Sequence, residues 1–245
     1  MTTLANLLGL PLEASAHAVQ IDTITVLVHL LMLALFLGWG GYFLWVLVRF
    51  RSRRNPRATY QPVRSRFSTY SEAVIVLAEL ILLGFFSIPA WATRVSSLPS
   101  ESEAVVVHVV AEQFAWNVHY PGADRQFGLA DLKRAEADNP LGIVAGSPHS
   151  ADDVTTVSEV VLPVNRPVIV ELTAKDVIHS FGVPAMRVKQ DAIPGMMTRV
   201  WFTPTREGVY EVACSQLCGL GHYRMRAVVR VVSSEEFTRW LTQSR

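Results

Sequence analysis

The sequence contains little cysteine and little charge. Only two of its 245 residues are cysteine, and Asp, Glu, Lys and Arg together make up 18%, below the quarter that is usual for soluble proteins. So few thiols exclude a disulfide-dense scaffold, and the low charge favours a protein that is partly embedded in a membrane. Residues 1–18 contain no Lys or Arg, so they lack the basic region of a cleaved signal peptide and predict a retained tail.

Two long apolar stretches near the N-terminus predict membrane spans. Residues 24–48 contain no charged side chain, and residues 73–92 contain one, that of Glu79. Each stretch is long enough to cross a hydrocarbon core of about 30 Å as a helix. We therefore expect a membrane-anchored region over 1–95, with a transmembrane hairpin that touches the lipid bilayer.

Arginines between the two spans predict their orientation. The connection 49–66 holds seven Arg and no acid, and Lys and Arg in short loops favour the cytoplasmic side. Both termini and the domain 96–245 should then lie on the outer, periplasmic side of a bacterial inner membrane. That domain contains 17 acidic residues and 14 Lys or Arg, so its net charge is near −3.

Beyond residue 95 the pattern is that of an all-β domain. Short β-branched runs alternate with Pro and Gly turns, which is typical of a sandwich or Greek-key barrel. The long polar stretch 121–156 predicts a surface insertion, and Ser233 with Glu236 forms a capping box for a short C-terminal helix. The predicted strands are 104–111, 114–120, 157–164, 167–174, 198–204, 208–214 and 226–232.

Both cysteines lie in one short motif, CSQLCGLGHYRM, which starts at Cys214 and also contains His222 and Met225. A C-x3-C pair in an exported domain is often a disulfide, and a single His or Met is usually a packing residue. The combination of thiolate, thioether and imidazole, however, suits copper rather than calcium or magnesium.

One thiol more than a mononuclear copper site needs suggests two metals. If both sulfurs bridge, His222, Met225, a second His and a backbone carbonyl would complete two four-coordinate coppers. The second His should come from another loop at the same end of the barrel, and His179 in DVIHSFGVP is the candidate. Structural roles are preferred for the other histidines, which are His17, His29, His108, His119 and His149.

These motifs resemble subunit II of haem–copper terminal oxidases over nearly the whole chain. The resemblance rests on two N-terminal helices, an aromatic strand, DVIHSFGVP followed by KQDAIPG, and EVACSQLCGLGHYRM. It implies a cupredoxin-like barrel with a binuclear copper centre, in which Cys214 and Cys218 bridge the two metals. The remaining ligands that it implies are His179, His222, Met225 and the main-chain carbonyl of Gln216.

The resemblance also implies a function. Members of this family receive single electrons from a periplasmic donor such as cytochrome c and pass them to haem in subunit I, where O₂ is reduced to water and protons are pumped. The partners would be subunit I, subunit III and a c-type cytochrome, with no nucleic acid. The alternative is the small subunit of a copper-containing nitric oxide reductase; a quinol oxidase subunit and a thioredoxin-type copper chaperone fit the motifs less well.

Two positions depart from the family pattern. Gln216 stands where a glutamate usually helps to bind magnesium, and a neutral amide is a weaker ligand for that ion. Phe114 stands where the family has its outer Trp, whereas Trp116 matches the inner one. We expect both aromatics to take part in electron uptake. Because of Phe114 and the insertion 121–156, we also expect the surface that binds the electron donor to differ from that of other family members. The chain has no C-x2-C-H motif for a fused c-type haem, so the donor should be a separate protein.

Glu72, at the start of the second span, matches the glutamate at the mouth of a proton path into subunit I. A carboxylate within or beside a membrane span is often functional. The alternative is that Glu72 stabilises the beginning of a helix through the helix dipole.

Overall fold

The computed structural model describes residues 4, 7–57, 60 and 65–244. It contains two compact units. One consists of helices and includes Gln20–Ser97; the other consists mainly of β-strands and comprises Pro11–Val19 together with Leu98–Arg245.

Within the described residues, two helical segments are long and apolar enough to cross a membrane. The first is α1 (Ala18–Arg49), and the second runs from Arg66 to Ser96 as α2 (Arg66–Leu82), a π-helical turn (Leu83–Ser87) and α3 (Ile88–Ser96). At 1.5 Å per residue they measure about 48 and 46 Å, more than the hydrocarbon core requires. Most of their apolar side chains are exposed in the isolated chain, as hydrocarbon surroundings demand.

Polar groups define the helix ends that face the connecting loop. Asn55 donates a side-chain hydrogen bond to the carbonyl of Arg49 at the end of α1. The hydroxyl of Ser65 accepts the N–H of Phe67 at the start of α2. Of the predicted cytoplasmic loop 49–66, residues 58, 59 and 61–64 lie outside the described residues, as do residues 1–3, 5 and 6 of the tail.

Ten strands form two five-stranded sheets in the second unit. The first sheet has the order β3-β2-β1-β5-β8 and the second the order β4-β10-β9-β6-β7. Among these ten strands, β1 pairs with β5 in parallel, as β10 does with β4. The strands are β1 (Val105–Glu112), β2 (Ala115–Tyr120), β3 (Val154–Val157), β4 (Glu159–Pro163), β5 (Val168–Ala174), β6 (His179–Val183), β7 (Val188–Ala192), β8 (Thr198–Phe202), β9 (Gly208–Cys214) and β10 (Arg226–Val232).

The core lies between the inner faces of the two sheets. Alternate residues of β1, such as Val107 and Val109, are fully buried and meet Phe181 and Val229 from the second sheet. This alternation is the period of two that a sheet with one buried face requires. The all-β prediction for this domain is confirmed, and the cysteines and Met225 form part of the same buried cluster.

Three short strands, β3, β6 and β7, were not predicted from the sequence. Each has a polar or glycine-containing sequence, so local propensity is weak. β3 pairs with β2 and β6 pairs with β9, whereas β7 is an edge strand that pairs with β6. In β6, a Cβ added at Gly182 would lie 2.5 Å from the hydroxyl of Ser215, so glycine is needed for this close approach. The predicted C-terminal helix is present as α4 (Ser234–Gln243), with Ser233 accepting the N–H of Glu236.

The N-terminal segment Pro11–Val19 packs on the β unit. Ser15 pairs with Pro204 in an antiparallel bridge, and its hydroxyl donates to the carbonyl of Met186 at 2.7 Å. Arg187 donates to the carbonyl of Pro11 at 2.6 Å. The sequence analysis grouped this segment with the helices, but these contacts attach it to the β unit.

The predicted surface insertion 121–156 folds against the first sheet. Phe127 stacks on His108 with ring centroids 3.5 Å apart and meets His119 edge to face. Asp153 accepts hydrogen bonds from the His119 ring at 2.7 Å and from the N–H of Gly128 at 2.9 Å. The insertion is therefore tied to the sheet by a buried histidine–carboxylate pair and an aromatic stack.

Burial lowers the pKa of His119, and the hydrogen bond and charge of Asp153 offset this only in part. His108 behaves similarly: burial lowers its pKa, against the opposing effect of Glu171 at 2.7 Å. Both imidazoles are consequently harder to protonate in the folded protein than in the unfolded chain.

The lowered pKa values of His119 and His108 predict that the folded β unit loses stability as the pH falls. Below pH 6.5, the ordinary pKa of histidine, the unfolded chain binds a proton that folded His119 does not. The apparent melting temperature should therefore fall as the pH drops below about 6.5 and level off once the pH passes the folded pKa. The loss is about 1.4 kcal/mol per unit of depression. Near-ultraviolet circular dichroism of the full chain in detergent, melted at a series of pH values, measures this.

Two substitutions check this explanation: His119→Gln removes the buried imidazole, and His149→Gln is the control. The first should flatten part of the pH profile, with His108 responsible for the remainder. The second changes an exposed histidine paired with Asp124 and should leave the profile as it is. An identical profile in the parent and in His119→Gln would contradict the assignment.

Candidate metal centre

The motif that contains both cysteines forms the loop between β9 and β10. β9 ends at Cys214, and Met225 immediately precedes β10. The N–H of Cys214 donates to the carbonyl of Met225 at 3.1 Å and closes the base of this loop. A 3₁₀ turn over His222–Arg224 then directs the His222 ring back toward Cys218. Adjacent antiparallel strands thus bring residues eleven positions apart into contact.

The strand β6 brings a further imidazole to this loop. Phe181 of β6 is paired with Cys214, and the N–H of Ser215 donates to the carbonyl of Ser180 at 2.9 Å. His179, the first residue of β6, is therefore held beside the cysteine loop although it precedes Cys214 by 35 residues.

The potential donor atoms lie within 3.1 to 4.0 Å of their neighbours. The two Sγ atoms are 3.8 Å apart, and Cys218 Sγ is 3.5 Å from His222 Nδ1 and 3.7 Å from Met225 Sδ. His179 Nδ1 is 3.1 Å from Met225 Sδ and 4.0 Å from Cys214 Sγ. The sequence singled out these five side chains, and the fold brings all of them together.

The main-chain carbonyl of Gln216 completes the cluster. It lies 3.2 Å from Cys214 Sγ, whereas the Gln216 side chain is exposed. His179, Cys214, Cys218 and Met225 are at least nine-tenths buried, and His222 is half-buried. The donors therefore lie just beneath the surface, shielded from water except on the His222 side.

The donor set and its spacing fit a soft metal ion. Both thiols are free, and a gap of 3.8 Å between sulfurs is far longer than the 2.05 Å bond of a disulfide. Two sulfurs bound tetrahedrally to one ion at about 2.3 Å would be roughly 3.8 Å apart. Thiolate, thioether and imidazole together favour copper over hard cations. His179, Cys214 and Cys218 thus form a candidate copper site.

Asp176 orients His179. One carboxylate oxygen lies 2.9 Å from His179 Nε2, which leaves Nδ1 to face the sulfurs. Partial burial raises the pKa of Asp176, but hydrogen bonds from His179 and from the N–H groups of Val177 and Gln113 outweigh this and hold it below its ordinary value. The carboxylate stays ionised and fixes the imidazole, as such outer partners of metal ligands do.

The Cys218 thiol is not preionised. Burial and the neighbouring Cys214 thiol raise the pKa of Cys218 above its ordinary value. A cation is therefore required to stabilise the thiolates, and its binding would release protons.

The turn between β1 and β2 covers the cysteine loop. Gln113 donates from its side chain to the carbonyl of Cys218 at 2.6 Å, and the Phe114 ring lies against the loop. A Cβ at Gly221 would lie 2.4 Å from the Phe114 ring, and one at Gly219 would lie 2.6 Å from Gln113 Nε2. Gly219 also has φ +129°, a conformation that strains other residues. Both glycines let this turn approach closely.

The two aromatics predicted for electron uptake occupy different depths. Trp116 is fully buried and meets the His179 ring edge to face, with centroids 6.2 Å apart. Phe114 is half-buried, and the guanidinium of Arg224 lies over its ring at 5.8 Å. Phe114 is thus the aromatic nearer the surface, and Trp116 packs in the core beside a candidate ligand.

The remaining histidines have partners elsewhere. His29 contacts the carbonyl of Thr25 within α1, His149 pairs with Asp124, and His17 packs on Trp201. Glu72 is exposed on α2, where it accepts a hydrogen bond from Ser68 at 3.3 Å. It belongs to the helical unit, not to the metal cluster.

The sequence analysis assigned no role to Asp176, Gln113 or Arg224. Asp176 had a local signal, because it stands three residues before His179 in the DVIHS motif. The contacts of Gln113 and Arg224 depend on the β1–β2 turn folding over a loop about 100 residues later, which no local pattern indicates.

Comparisons with known proteins agree with this geometry. The family model for the cytochrome c oxidase subunit II periplasmic domain matches residues 105–232. The cytochrome c oxidase subunit 2 of Cereibacter sphaeroides is 34% identical over 97% of this chain and 80% of its own length. The alternative cytochrome c oxidase subunit 2 of Bradyrhizobium diazoefficiens is 30% identical over 83% of this chain and 73% of its own.

Among solved structures, the periplasmic domain of subunit II of cytochrome oxidase from Bradyrhizobium japonicum is 31% identical. It covers 60% of this chain and 95% of its own length, with a TM-score of 0.44. The family match covers more than half of the chain, and the Cereibacter relative aligns along almost all of it. The chain therefore belongs to the cytochrome c oxidase subunit II family.

Proposed function

We propose that this chain is the electron-uptake subunit of a respiratory haem–copper oxidase. It would receive single electrons from a periplasmic c-type cytochrome and deliver them to haem in subunit I, where O₂ is reduced to water and protons are translocated. The observation that supports this most is the convergence of two thiols, two imidazoles, a thioether and a carbonyl within 4.0 Å of a neighbouring donor.

The number of donors supports two copper ions rather than one. Six donors exceed the four that one copper ordinarily takes, and two central sulfurs can each serve both ions. Cys214 and Cys218 would then bridge, His179 with Met225 would bind on one side, and His222 with the Gln216 carbonyl on the other. The contact of 3.1 Å between His179 Nδ1 and Met225 Sδ supports placing these two donors on the same side. When bound, the copper pair supplies reversible one-electron oxidation and reduction.

The protein residues contribute rigidity and exclusion of water. His179 is held between Asp176 and the sulfurs, and the loop base is closed by the Cys214–Met225 hydrogen bond. Donors fixed in this way change position little when the charge of the site changes, so little reorganisation opposes electron transfer. The buried position keeps the thiolates away from solvent oxidants.

The route by which electrons arrive would pass the β1–β2 turn. Phe114 is the aromatic nearer the surface and lies against Gly221, one residue from His222. Arg224 places a positive charge over the same ring, which would disfavour a basic patch of the donor at this point. We propose that a donor docks with a weakly charged contact over Phe114, while Trp116 supports His179 from within.

The topology proposed from the arginine pattern agrees with the packing of the tail. Pro11–Val19 belongs to the β unit, so the beginning of α1 and the end of α3 both connect to the same domain. The arginine pattern would place this domain and both termini on the periplasmic side. Subunits I and III would then contact the exposed apolar faces of the helices within the bilayer.

Two further roles are proposed for polar residues. Glu72, exposed near the start of the second span, is the candidate for proton uptake toward subunit I. The exposed amide of Gln216 is the available ligand for a magnesium ion at the subunit border, where it would bind more weakly than a glutamate.

Copper content gives the first test of this function. The full chain, purified in detergent and reconstituted with copper, should bind two ions and show an electron paramagnetic resonance spectrum of one electron shared by two copper nuclei. Leu217→Ala, at an exposed position of the same loop, should retain both ions. One copper per chain, or a Cys214–Cys218 disulfide in the native complex, would exclude the binuclear site.

Two substitutions distinguish a weak ligand from a bridge. Met225→Leu should retain both coppers but raise the reduction potential or make the pair unsymmetrical, because a neutral thioether binds copper weakly. Cys218→Ser should abolish the binuclear site, because a bridging thiolate is lost. Metal analysis and redox titration measure both effects, with Met197→Leu as the control at an exposed methionine outside the cluster. Equal behaviour of the two variants would show that the roles are wrongly divided.

Electron uptake is tested with a pair of aromatic substitutions in the assembled oxidase. Phe114→Ala should slow reduction by the native cytochrome without changing the copper spectrum, because an exposed bridge to the site is removed. Phe127→Ala, in the insertion, should leave this rate unchanged. Stopped-flow reduction at several ionic strengths measures both, and a net charge near −3 predicts a shallow salt dependence.

The opposite pattern would relocate the docking face. A rate that depends on Phe127 and not on Phe114 would place the donor over the insertion 121–156. Consumption of nitric oxide in place of oxygen by the same preparation would instead favour the reductase alternative.

A further inference from the structure

A cavity of about 490 Å³ lies in the β unit where the start of β1, the end of β2 and α4 meet. It has no part in the metal centre, and its size is within the range of small-molecule sites. Its lining combines arginine side chains with an apolar wall. The cationic side includes Arg125 and Arg166, and the apolar side includes Tyr120, Phe237 and Leu241.

Arg125 and Arg166 are both held by the short turn 101–104. Arg125 Nη2 donates to the carbonyls of Glu101 and Ala104 at 2.9 and 3.0 Å. Arg166 Nε donates to the carbonyl of Glu103 at 3.2 Å. All three acceptors are main-chain carbonyls, which position the guanidinium groups without neutralising their charge.

The positive charge of these two arginines is uncompensated. Within the described portion of the chain, neither Arg125 nor Arg166 forms an ion pair with a carboxylate. Both guanidinium groups line the same cavity and are bound to the same turn, and burial together with the charge of Arg125 lowers the pKa of Arg166. Like charges that are held together in this way create a site for an anion.

The other charged groups of the cavity are already matched. Arg199 forms ion pairs with Glu171 and, at 3.4 Å, with Glu101. His108 lies 2.7 Å from the second carboxylate oxygen of Glu171. The cavity lining holds three arginines and two glutamates, so one positive charge is in surplus, and Arg125 and Arg166 are the two guanidinium groups that have no carboxylate partner among the described residues.

The apolar wall is preformed by the C-terminal helix. Tyr120 is fully buried and meets Phe237 and Trp240 of α4, so its ring is fixed. Leu241, one turn after Phe237, extends the wall. A ligand at this place would contact guanidinium groups at one end and aromatic and aliphatic carbon at the other.

We propose that this cavity binds an organic phosphate, with the phosphate held by Arg125 and Arg166 and its apolar portion against Phe237 and Leu241, behind which the buried Tyr120 packs. Arg166 retains both Nη groups for an acceptor, and a guanidinium matches two phosphate oxygens at once. A phosphate also offers enough oxygens for two guanidinium groups, whereas one carboxylate has two. The same chemistry is presented by a soluble phosphate monoester and by the headgroup of an anionic phospholipid.

The test is calorimetric titration of the full chain in a zwitterionic detergent with phenyl phosphate and, separately, with inorganic phosphate. Phenyl phosphate should bind the parent protein more tightly, because only it reaches the apolar wall. Arg125→Gln and Arg166→Gln should each weaken both probes about tenfold or more, through loss of a charge-assisted contact. Leu241→Ala should weaken phenyl phosphate about threefold to tenfold and leave inorganic phosphate unchanged.

Controls separate local contacts from net charge and from misfolding. Arg206→Gln removes the same charge at an exposed position outside the cavity and should leave both affinities as they are. Arg166→Lys keeps the charge but loses the planar guanidinium, so its affinity for phenyl phosphate should lie between those of the parent and of Arg166→Gln. The near-ultraviolet spectrum of each variant shows whether the β unit is intact.

The source of the phosphate is decided by competition. Mixed micelles containing phosphatidylglycerol should displace phenyl phosphate if the physiological ligand is a lipid headgroup, with phosphatidylcholine as the neutral control. Absence of displacement assigns the site to a soluble phosphate ester. Equal binding of phenyl phosphate by the parent and by both Arg→Gln variants, or no binding by the parent, would overturn the proposal.

Discussion

The closure of one loop between β9 and β10 is the constraint on which the metal centre depends. A single main-chain hydrogen bond between Cys214 and Met225 fixes the ends of this loop, and pairing of β6 to β9 adds His179 to it. Both arrangements come from the antiparallel sheet, whose geometry places neighbouring strand ends side by side. The buried donors are thereby held at a spacing suited to a soft ion.

Around this loop, polar groups act as supports rather than as ligands. Asp176 sets the direction of the His179 ring, and it also accepts the N–H of Gln113, whose side chain in turn donates to Cys218. The β1–β2 turn and both ligand-bearing segments are therefore parts of one hydrogen-bonded network. A change in this network would alter the geometry of the donors without removing any of them, which is the usual effect of outer partners at metal sites.

The rest of the β unit shows how a small sandwich accommodates buried charge. His119 with Asp153 and His108 with Glu171 are held at 2.7 Å, and Phe127 of the insertion packs between the two imidazoles. Pairing offsets the desolvation of each group, so the long insertion can lie against the sheet. The cavity beside α4 differs, because its two remaining arginines are bound only to carbonyls. Matched and unmatched charges thus occur side by side on the same surface.

Much of this protein is determined by local sequence. Two uncharged helical stretches, the β-branched runs and the motif from Cys214 to Met225 indicate membrane spans, a β domain and a soft-metal site, because hydrophobic periodicity and ligand type are local properties. The capping box at Ser233 likewise predicts α4. The short strands β6 and β7 and the contacts of Gln113, Asp176 and Arg224 were decided only by the tertiary structure. The tertiary structure alone also decided the packing of Pro11–Val19 on β8 and the cavity at Arg125 and Arg166. They depend on residues far apart in the chain that become neighbours through sheet pairing, and no local propensity encodes that pairing.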